Sequence, residues 1–545
     1  MSESTSARSS THWAMPGLNA STWASNYQVA RVLVLSEIRL RSRRWSTLFA
    51  LFLMLLLCWN MIVDPASGMS MLTINNRRTL YTSSALALGS ACLLSVLLLF
   101  AGFYLLRGRV AEDIRTGIGN VIAASPVSNA VFLASRWLAS VLYFMLLAYT
   151  GMLTVMVLQL VRGEPGLQWL IYLQTYSLVF LPLACYVASI AILFDSVPAL
   201  MGKRGDLVFF ILWVLQISLL AQVAKPEGNA NLALFVFDFN GMMTVILNLQ
   251  EFIHTTSFAL GGSKFDPALT PVTLPASVWA SKYLFLRFAS ALLATVPLAI
   301  AIGLFHRYSV DRVKAAQVRQ RRSPIQVLNQ LSQPLAHLAK PLLHWAGFLP
   351  PVFAGLVAEL ALSLIAAPVF ILAMLVLNIA AAVVAIKALP VVLMLMILCW
   401  ALASVDMASR DFQAGMLQMT AVTPGGSDRR FWRQYGSSLC LAFLFVFAAL
   451  PRLFLHDGFS LLMLISGFVA ATCLAHAAGS MTKSPRLFLA VFLFWFYIAI
   501  QAPQFAWLDL FGVNHVANRA TLFMLVQLSV AAGLTGFMYQ RLQQR

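Results

Sequence analysis

Charged residues are scarce in this chain. Asp, Glu, Lys and Arg make up 10% of its 545 residues, whereas 60% are hydrophobic, and the mean hydropathy is +0.82. A soluble fold of this length needs a more polar surface to cover such a core. The apolar residues instead form runs of about 18 to 25 residues, each long enough to cross roughly 30 Å of hydrocarbon. The composition therefore excludes an ordinary soluble protein and predicts an all-α polytopic membrane protein.

The cysteines offer no short-spaced pair. They lie in or beside apolar runs, at Cys58, Cys92, Cys185, Cys399, Cys440 and Cys473. Since disulfide frameworks and metal sites need closely spaced ligands, we expect neither of them, and no cofactor in this chain. The formal net charge of +18 comes from basic residues scattered between apolar runs, without the basic arm and interleaved aromatics of a nucleic-acid-binding protein. We therefore expect no nucleic-acid partner.

A nucleotide-binding motif is also missing. The sequence contains no G-x-x-x-x-G-K-[ST], and the string GGSK at 261–264 lacks the upstream glycine that this phosphate loop requires. We therefore expect that the chain cannot hydrolyse ATP by itself, and we predict no catalytic residues in it.

The apolar runs predict about twelve transmembrane helices in two groups of six. The first group lies at 45–63, 82–106, 131–160, 168–194, 207–224 and 283–305. The second lies at 364–385, 388–405, 431–450, 459–480, 487–506 and 518–540. The predicted divisions are a polar N-terminal tail (1–25), a first six-helix half (26–305), a cytoplasmic linker (306–350) and a second six-helix half (351–545). Within the first half, the segment 225–282 is predicted to lie outside and to form one or two short interfacial or re-entrant helices.

Basic residues set the predicted orientation. Lys and Arg concentrate in the loops that share a side with both termini, such as 107–115, 307–322 and 429–433. Short loops retain positive charge on the cytoplasmic side, so both termini are expected in the cytoplasm. Arg77 and Arg78 oppose this assignment. We expect a multi-pass protein of the bacterial cytoplasmic (inner) membrane.

One motif occurs after the second predicted span of each half. The strings EDIRTGIGNVIAASPVSNAVFLASRWLAS and SRDFQAGMLQMTAVTPGGSDRRFWRQYGS align without a gap, 298 positions apart. The matched residues are Asp113, Gly117, Ala123, Ser125 and Pro126 in the first copy and Asp411, Gly415, Ala421, Thr423 and Pro424 in the second. Their identical place in the helix order of each half indicates an internal repeat.

The repeated motif predicts a short cytoplasmic helix. In the first copy Val110, Ile114, Ile118 and Val121 follow helical spacing and form one apolar face. Pro126 then ends the helix and returns the chain to the membrane. Such a helix either presses into a groove of a soluble partner or is a solvated amphipathic loop helix that only fixes the topology, and two matched copies favour the partner.

Each half also opens with a segment ahead of its first span. The first is LVLSEIRLRSRRW, in which Glu37 is followed by Arg39, Arg41, Arg43 and Arg44; the second is GLVAELALSLIAAP, with Glu359 and no arginine. The first segment is predicted to lie as a helix along the lipid headgroups, because its arginines are attracted to anionic lipid.

These segments resemble those of the type-2 ABC transporter permeases, an exporter family with an amphipathic connector helix, six spans and a cytoplasmic coupling helix between spans two and three. The first copy matches the family pattern closely, whereas the second replaces its Val-Ser exit with Gly425 and Gly426. Most members contribute one six-span half and dimerise, so this chain looks like the fused form. The resemblance implies that a separate pair of cytoplasmic ABC ATPase subunits binds ATP and Mg and docks on the two coupling helices near 110–126 and 408–424.

The resemblance also implies which residues couple to the ATPase. They are Glu112, Asp113, Arg115, Gly117, Ser125 and Pro126 in the first half and Asp411, Gly415, Thr423 and Pro424 in the second. The connector residues are Glu37, Arg41, Arg43 and Glu359. Membrane lipid is a further expected partner, and the external segment 225–282 is a candidate surface for an accessory protein. The cargo stays open: a peptide, a metabolite, a lipid or a glycan fits the apolar spans.

Two other classes of protein remain as alternatives. An ion-coupled secondary transporter needs acidic residues deep in its spans, whereas the mid-span polar candidates here are the neutral Gln216, Asn378 and His476. A polytopic membrane enzyme needs convergent ionisable groups, and the pairs Glu251/His254 and His456/Asp457 have no further ligand at metal-site spacing.

Overall fold

The chain is a helical, membrane-embedded protein in the computed structural model, which describes residues 20–65, 68–201, 203–223, 232–253, 258–275, 279–305, 329–416, 419, 426–501, 503 and 505–542. About 79% of the structure is helical. The expected helical membrane class is therefore confirmed. The linker segment 306–328 and most of the tail 1–25 lie outside the described residues.

The helices of the first half follow the predicted spans. They are α1 (Ala20–Ser42), α2 (Trp45–Met61), α3 (Ser83–Leu106), α4 (Arg109–Thr116), α5 (Ile118–Ala124), α6 (Asn129–Arg162), α7 (Trp169–Ser196), α8 (Lys203–Val223), α9 (Met242–Ile253), α10 (Ser281–Leu293) and α11 (Val296–Leu304). Hydroxyl side chains cap two of them: Thr82 accepts from the Ala85 amide at 3.5 Å, and Ser128 from the Val131 amide at 3.3 Å. These caps fix where α3 and α6 begin.

The second half is also helical. Its helices are α12 (Ala336–Ala346), α13 (Pro351–Ala366), α14 (Val369–Val383), α15 (Leu389–Ser404), α16 (Arg410–Gln413), α17 (Gly426–Val446), α18 (Ala449–His456), α19 (Gly458–Thr482), α20 (Arg486–Gln501) and α21 (Arg519–Leu542). Single 3₁₀ turns lie at Pro198–Leu200, Leu232–Phe237, Gln333–Leu335, Ile386–Ala388 and Ala506–Leu508.

Every predicted span coincides with helical structure. These helices are of three kinds: long apolar helices, pairs of helices joined at a sharp bend, and short apolar helices. Among the described residues, seven helical segments are long and apolar enough to cross a membrane, and the number rises to ten if each bent pair is one span. The bent pairs are α1/α2 at 67°, α13/α14 at 97° and α17/α18 at 74°. Residues 205–218 of α8 and the whole of α20 are shorter apolar helices. The division into two repeats of six spans stays a prediction.

A small sheet that the all-α expectation did not include joins the segment after α2 to the segment after α9, which is part of the stretch predicted to lie outside. Strands β1 (Met69–Ile74), β2 (Arg77–Arg78) and β3 (Phe258–Lys264) pair antiparallel in the order β2-β1-β3. The register joins Met69 to Lys264 and Ile74 to Phe258, so the loop after α2 holds the distant segment 258–264. The predicted short helices of this segment are present as Leu232–Phe237 and α9.

A buried arginine fastens this external segment to the helix bundle. Pro182 inside α7 has no amide hydrogen, which leaves the carbonyl oxygen of Leu178 without its helical donor. The Nε of Arg287, in α10, donates to that oxygen at 3.0 Å. Its guanidinium also donates to the carbonyls of Asp238 and Phe239 in the external segment. One side chain therefore compensates the proline break and holds the external chain against α7.

The two halves meet through aromatic side chains. Phe100 of α3 stacks on Phe494 of α20, with ring centroids 5.7 Å apart. Trp213 of α8 contacts Tyr497 of α20 edge-on at 4.6 Å. Such ring contacts add to the burial of large apolar surface, so α3, α8 and α20 form a closed seam between the halves.

Candidate functional site

The first repeated motif forms two short helices joined at Gly117. Gly117 has φ of +75°, a left-handed conformation that ends α4 and begins α5. Ser125 ends α5, and its hydroxyl donates to the carbonyl of Ile122 at 2.8 Å. Pro126 follows and is exposed. The predicted coupling helix near 110–126 is thus present in two pieces that meet at the motif glycine.

The apolar face predicted for this motif divides between core and surface. Val110 is buried against Phe132 of α6 and its neighbours, whereas Ile114, Ile118 and Val121 are 40, 52 and 72% exposed. Exposed apolar side chains on both short helices of a loop between two candidate spans form a surface suited to a hydrophobic groove. We call Ile114, Ile118 and Val121 the exposed row.

Ion pairs hold α4 against α1 beneath the exposed row. The Nε and Nη2 of Arg109 lie 2.8 and 3.0 Å from the two carboxylate oxygens of Glu37. Arg41 adds a contact at 3.2 Å to the same carboxylate. Arg44 bonds Glu112, which Arg109 also contacts at 2.9 Å. The predicted connector and coupling segments therefore contact each other directly through side chains.

A second ion pair joins α4 to α6. Asp113 is 2% exposed and bonds Arg136. Its carboxylate therefore faces the bundle and acts within the chain. Arg43 is exposed in the turn between α1 and α2, and Arg115 lies in α4 with a side chain outside the described ones.

Glu112 is the most exposed carboxylate of the network. Burial by itself raises the pKa of its carboxyl, but the adjacent Arg44 and Arg109 outweigh that and lower the pKa below its usual range. Glu112 is therefore charged at neutral pH, and the helix that carries Ile114 also carries a compensated cluster of charges.

The second half repeats this arrangement with weaker contacts. Glu359 of α13 is 3.4 Å from Arg410 of α16 and 3.6 Å from Arg433 of α17. Asp411 lies partly buried, and Gly415 has φ of +70°, close to the value for Gly117. Thr423 and Pro424 lie outside the described residues. In both halves the connector glutamate therefore contacts an arginine at or just before the coupling segment, and in the second half it also contacts Arg433 of the following helix.

The arginines of these clusters are functional candidates that the repeat alignment does not identify. Arg136 stands opposite Gln434 in the alignment, and Arg433 stands opposite Ser135. The two arginines therefore differ by one position in the alignment. Both nevertheless bond an acidic residue: Arg136 bonds one of the coupling segment, and Arg433 one of the connector segment. The signal available in the sequence is an arginine near the start of the third span in each half.

A further buried network lies where the ends of α3 and α7 meet the second half. Arg107 follows α3, bonds Asp206 of α8 and lies 3.7 Å from Asp195 of α7. Asp195 also accepts from the Gly108 amide at 2.8 Å. From the second half, Arg486 donates to the carbonyl of Arg107 at 3.3 Å. The chain directly before α4 therefore contacts the second half through the Arg486 guanidinium.

The residues considered for the alternative classes have structural partners. Glu251 pairs with Lys282 at 2.5 Å and accepts from the Tyr283 hydroxyl, whereas His254 lies outside the described residues. Asp457 caps α19, accepting from the Ser460 amide at 3.2 Å. Among the described residues, no three His, Cys, Asp or Glu side chains could hold a metal ion together.

The mid-span Asn378 bridges two helices. Its amide donates to the carbonyls of Leu444 and Phe445 at 3.0 Å, and its oxygen accepts from the Ala448 amide at 2.8 Å. These groups lie at the break between α17 and α18. Asn378 therefore forms hydrogen bonds with the backbone groups at this helix break, which is the role of an interhelical hydrogen-bonding residue.

Comparisons with known proteins add no assignment. No family model, no curated protein and no solved structure matches this chain.

Proposed function

We propose that this chain is the permease subunit of an ATP-driven exporter, and that a separate pair of cytoplasmic ABC ATPase subunits docks on the two repeated motifs. The observation that carries the proposal is the exposed row of Ile114, Ile118 and Val121 on helices that an ion-pair network joins to α1 and α6. An apolar row on a loop helix suits a groove in a soluble partner. The network below it gives a path by which force on α4 reaches α1 and α6.

The paired glycines support a two-fold docking arrangement. Gly117 and Gly415 occupy the same place in the repeat and share a left-handed conformation. A dimeric ATPase presents two equivalent surfaces, and a fused permease must offer two matched contacts. The second motif has the weaker ion pairs, so the first contact is proposed as the stronger one.

Transmission would run from the coupling segment to the seam between the halves. Gly108 precedes α4 directly and lies against both Asp195 and Arg486. A displacement of α4 on ATP binding would move this point and change the contact of Arg107 with Arg486. The closed aromatic seam of α3, α8 and α20 would then open for cargo with a large apolar part. The proposed setting is the bacterial inner membrane, with both termini in the cytoplasm.

Copurification tests the docking surface. Candidate cassette ATPases from the same operon are coexpressed with the tagged chain, and the variants Ile118→Glu and Val121→Glu are compared with Asn120→Glu. Asn120 is exposed on α5 beside the row, so its variant adds the same charge outside the apolar contact. We expect the first two variants to lose most of the bound ATPase and its stimulation, and the control to retain both.

Two results would contradict the proposal. The first is that no cassette ATPase associates with the wild-type chain; the second is that both row variants bind and stimulate the ATPase as well as Asn120→Glu does. Flux that follows a proton gradient without ATP would favour the ion-coupled alternative. A cysteine at Val121 that reacts with an impermeant maleimide from the outside of intact cells would contradict the proposed orientation.

A further inference from the structure

The helix α12 has three distinct faces. Ala339 and Ala346, seven residues apart, are buried. Leu338 and Trp345 form a second face that is 61 and 65% exposed. The remaining face is basic and exposed, with His337, Lys340 and His344, and the helix contains no acidic residue. A helix with one packed, one apolar exposed and one basic face has the pattern of a helix that lies in a membrane surface.

The turn after α12 and the first residues of α13 extend the apolar exposed surface. Phe348, Val352 and Phe353 are 78, 68 and 59% exposed. Aromatic side chains beside basic ones are characteristic of the boundary between headgroups and acyl chains. In water this combination would leave a large contiguous apolar patch uncovered, which soluble surfaces rarely do.

The geometry of the second half orients α12. The axes of α13 and α14 differ by 97°. Taken together, the two helices are one candidate span. If α14 crosses the bilayer, α13 runs nearly parallel to the membrane surface. Helix α12 packs on α13, and the Oδ1 of Asn329, ahead of α12, accepts from the first amide of α14 at 3.2 Å. Helix α12 is therefore held at the membrane level where α14 begins.

We propose that α12 and the following turn form a monotopic lipid-binding surface in the cytoplasmic leaflet. The face of Leu338 and Trp345 and the turn at Phe348 enter the acyl boundary. The face of Lys340 contacts the phosphates of anionic lipids. Part of the stretch predicted as a cytoplasmic linker, 329–350, is then an anchor of the second half, analogous to the arginine-rich α1 of the first. The inference is independent of the ATPase proposal, because it concerns a different surface.

Spin-label accessibility tests this surface in the full-length chain. A variant whose native cysteines are replaced by alanine, with an unchanged elution profile and helical content, receives single nitroxides at Leu338→Cys, Trp345→Cys or Phe348→Cys. His337→Cys and His344→Cys, each about 100° around the same helix from the neighbouring apolar position, are the matched controls. All are placed in nanodiscs of phosphatidylcholine with phosphatidylglycerol.

The expected result is a contrast between the faces. Labels on the apolar face should collide with molecular oxygen several-fold more often than with a nickel chelate, and labels on the basic face should show the opposite preference. Equal exposure of both faces to the nickel chelate would place α12 in water and overturn the proposal. Protection of the apolar face from oxygen and nickel alike would show a protein cover, either another part of this chain or a second copy, and would overturn it as well.

The charge of Lys340 has its own test. In the Lys340→Glu variant, the oxygen preference at Trp345→Cys should fall several-fold in anionic nanodiscs and change little in pure phosphatidylcholine. The same fall in both lipids would refute the contact with anionic headgroups.

Discussion

Replacing Arg109 with methionine is expected to loosen the packing of α4 against α1. The guanidinium is 12% exposed and lies within 2.8 and 3.0 Å of the Glu37 carboxylate oxygens. Removing one member of a buried ion pair costs about 3–5 kcal/mol, because the other charge stays buried. Arg41 remains 3.2 Å from Glu37 and compensates part of that charge, so the lower end, about 3 kcal/mol, is expected here.

Hydrogen exchange of the α4 amides measures this loss locally. In the regime where exchange follows local opening, about 3 kcal/mol corresponds to a roughly 150-fold faster exchange, since 1.36 kcal/mol is a factor of ten. The purified chain is compared as wild type, Arg109→Met, Glu37→Gln and the double variant. The double variant should cost less than the two single losses together, because it leaves fewer unpaired charges.

The second half supplies the matched control. Arg410 is 32% exposed and 3.4 Å from Glu359, so Arg410→Met should cost less than about 1 kcal/mol, a roughly fivefold faster local exchange. Wild-type exchange in α4 of Arg109→Met would refute the reasoning. So would losses that simply add in the double variant, because additivity means that Glu37 and Arg109 do not act on each other.

Three further outcomes follow from other parts of the structure. Gly117→Ala should lower the melting temperature of the purified chain, because alanine in the left-handed conformation costs about 1 kcal/mol. The control Gly303→Ala, at a position with ordinary φ and no atom near the added Cβ, should cause no loss. Equal effects of the two substitutions would contradict this prediction. The pKa of the Glu112 carboxyl is lower in the folded chain than its usual value of 4.5. The ionised carboxylate therefore stabilises the fold fully above pH 4.5, and this stabilisation disappears as the pH falls through the folded-state pKa. The melting temperatures at pH 7 and pH 4 should differ more for wild type than for Glu112→Gln. Arg287→Leu leaves buried carbonyls of α7 and the external segment without donors, at a cost of at least about 3 kcal/mol. The variant should make residues 232–264 sensitive to protease added from outside. Resistance equal to that of wild type would show that other contacts hold this segment.

The positions of the helices follow closely from the sequence. Uninterrupted apolar runs specify spans because every backbone group in lipid must be satisfied within the helix, and this requirement is local. The number of crossings is less determined. Residues near Pro368 and Ala448 lie at sharp bends, and the direction of a helix after a bend depends on what it packs against.

In the candidate site, too, the sequence predicts the local features, whereas the structure decides the long-range contacts. The repeat identifies Gly117 and Gly415, whose left-handed φ is a local property of the chain. The partners of the acidic residues are not local: Asp113 bonds Arg136, 23 positions away, and Glu37 contacts Arg109, 72 positions away. The sequence therefore predicts where a coupling segment lies, while the structure places its aspartate inside the bundle and its isoleucines outside.

The sequence alone determined the membrane class, the helix positions and the missing nucleotide-binding motif, and it predicts the internal repeat, because apolar run length and residue spacing are read along the chain. Only the tertiary structure decided that Arg287 donates to the carbonyl freed by Pro182, that β1 pairs with β3 across nearly 200 residues, and that Phe100 meets Phe494 between the halves. Those contacts join segments that are far apart in sequence. Their free energy depends on the packing of the whole bundle, which no local pattern encodes.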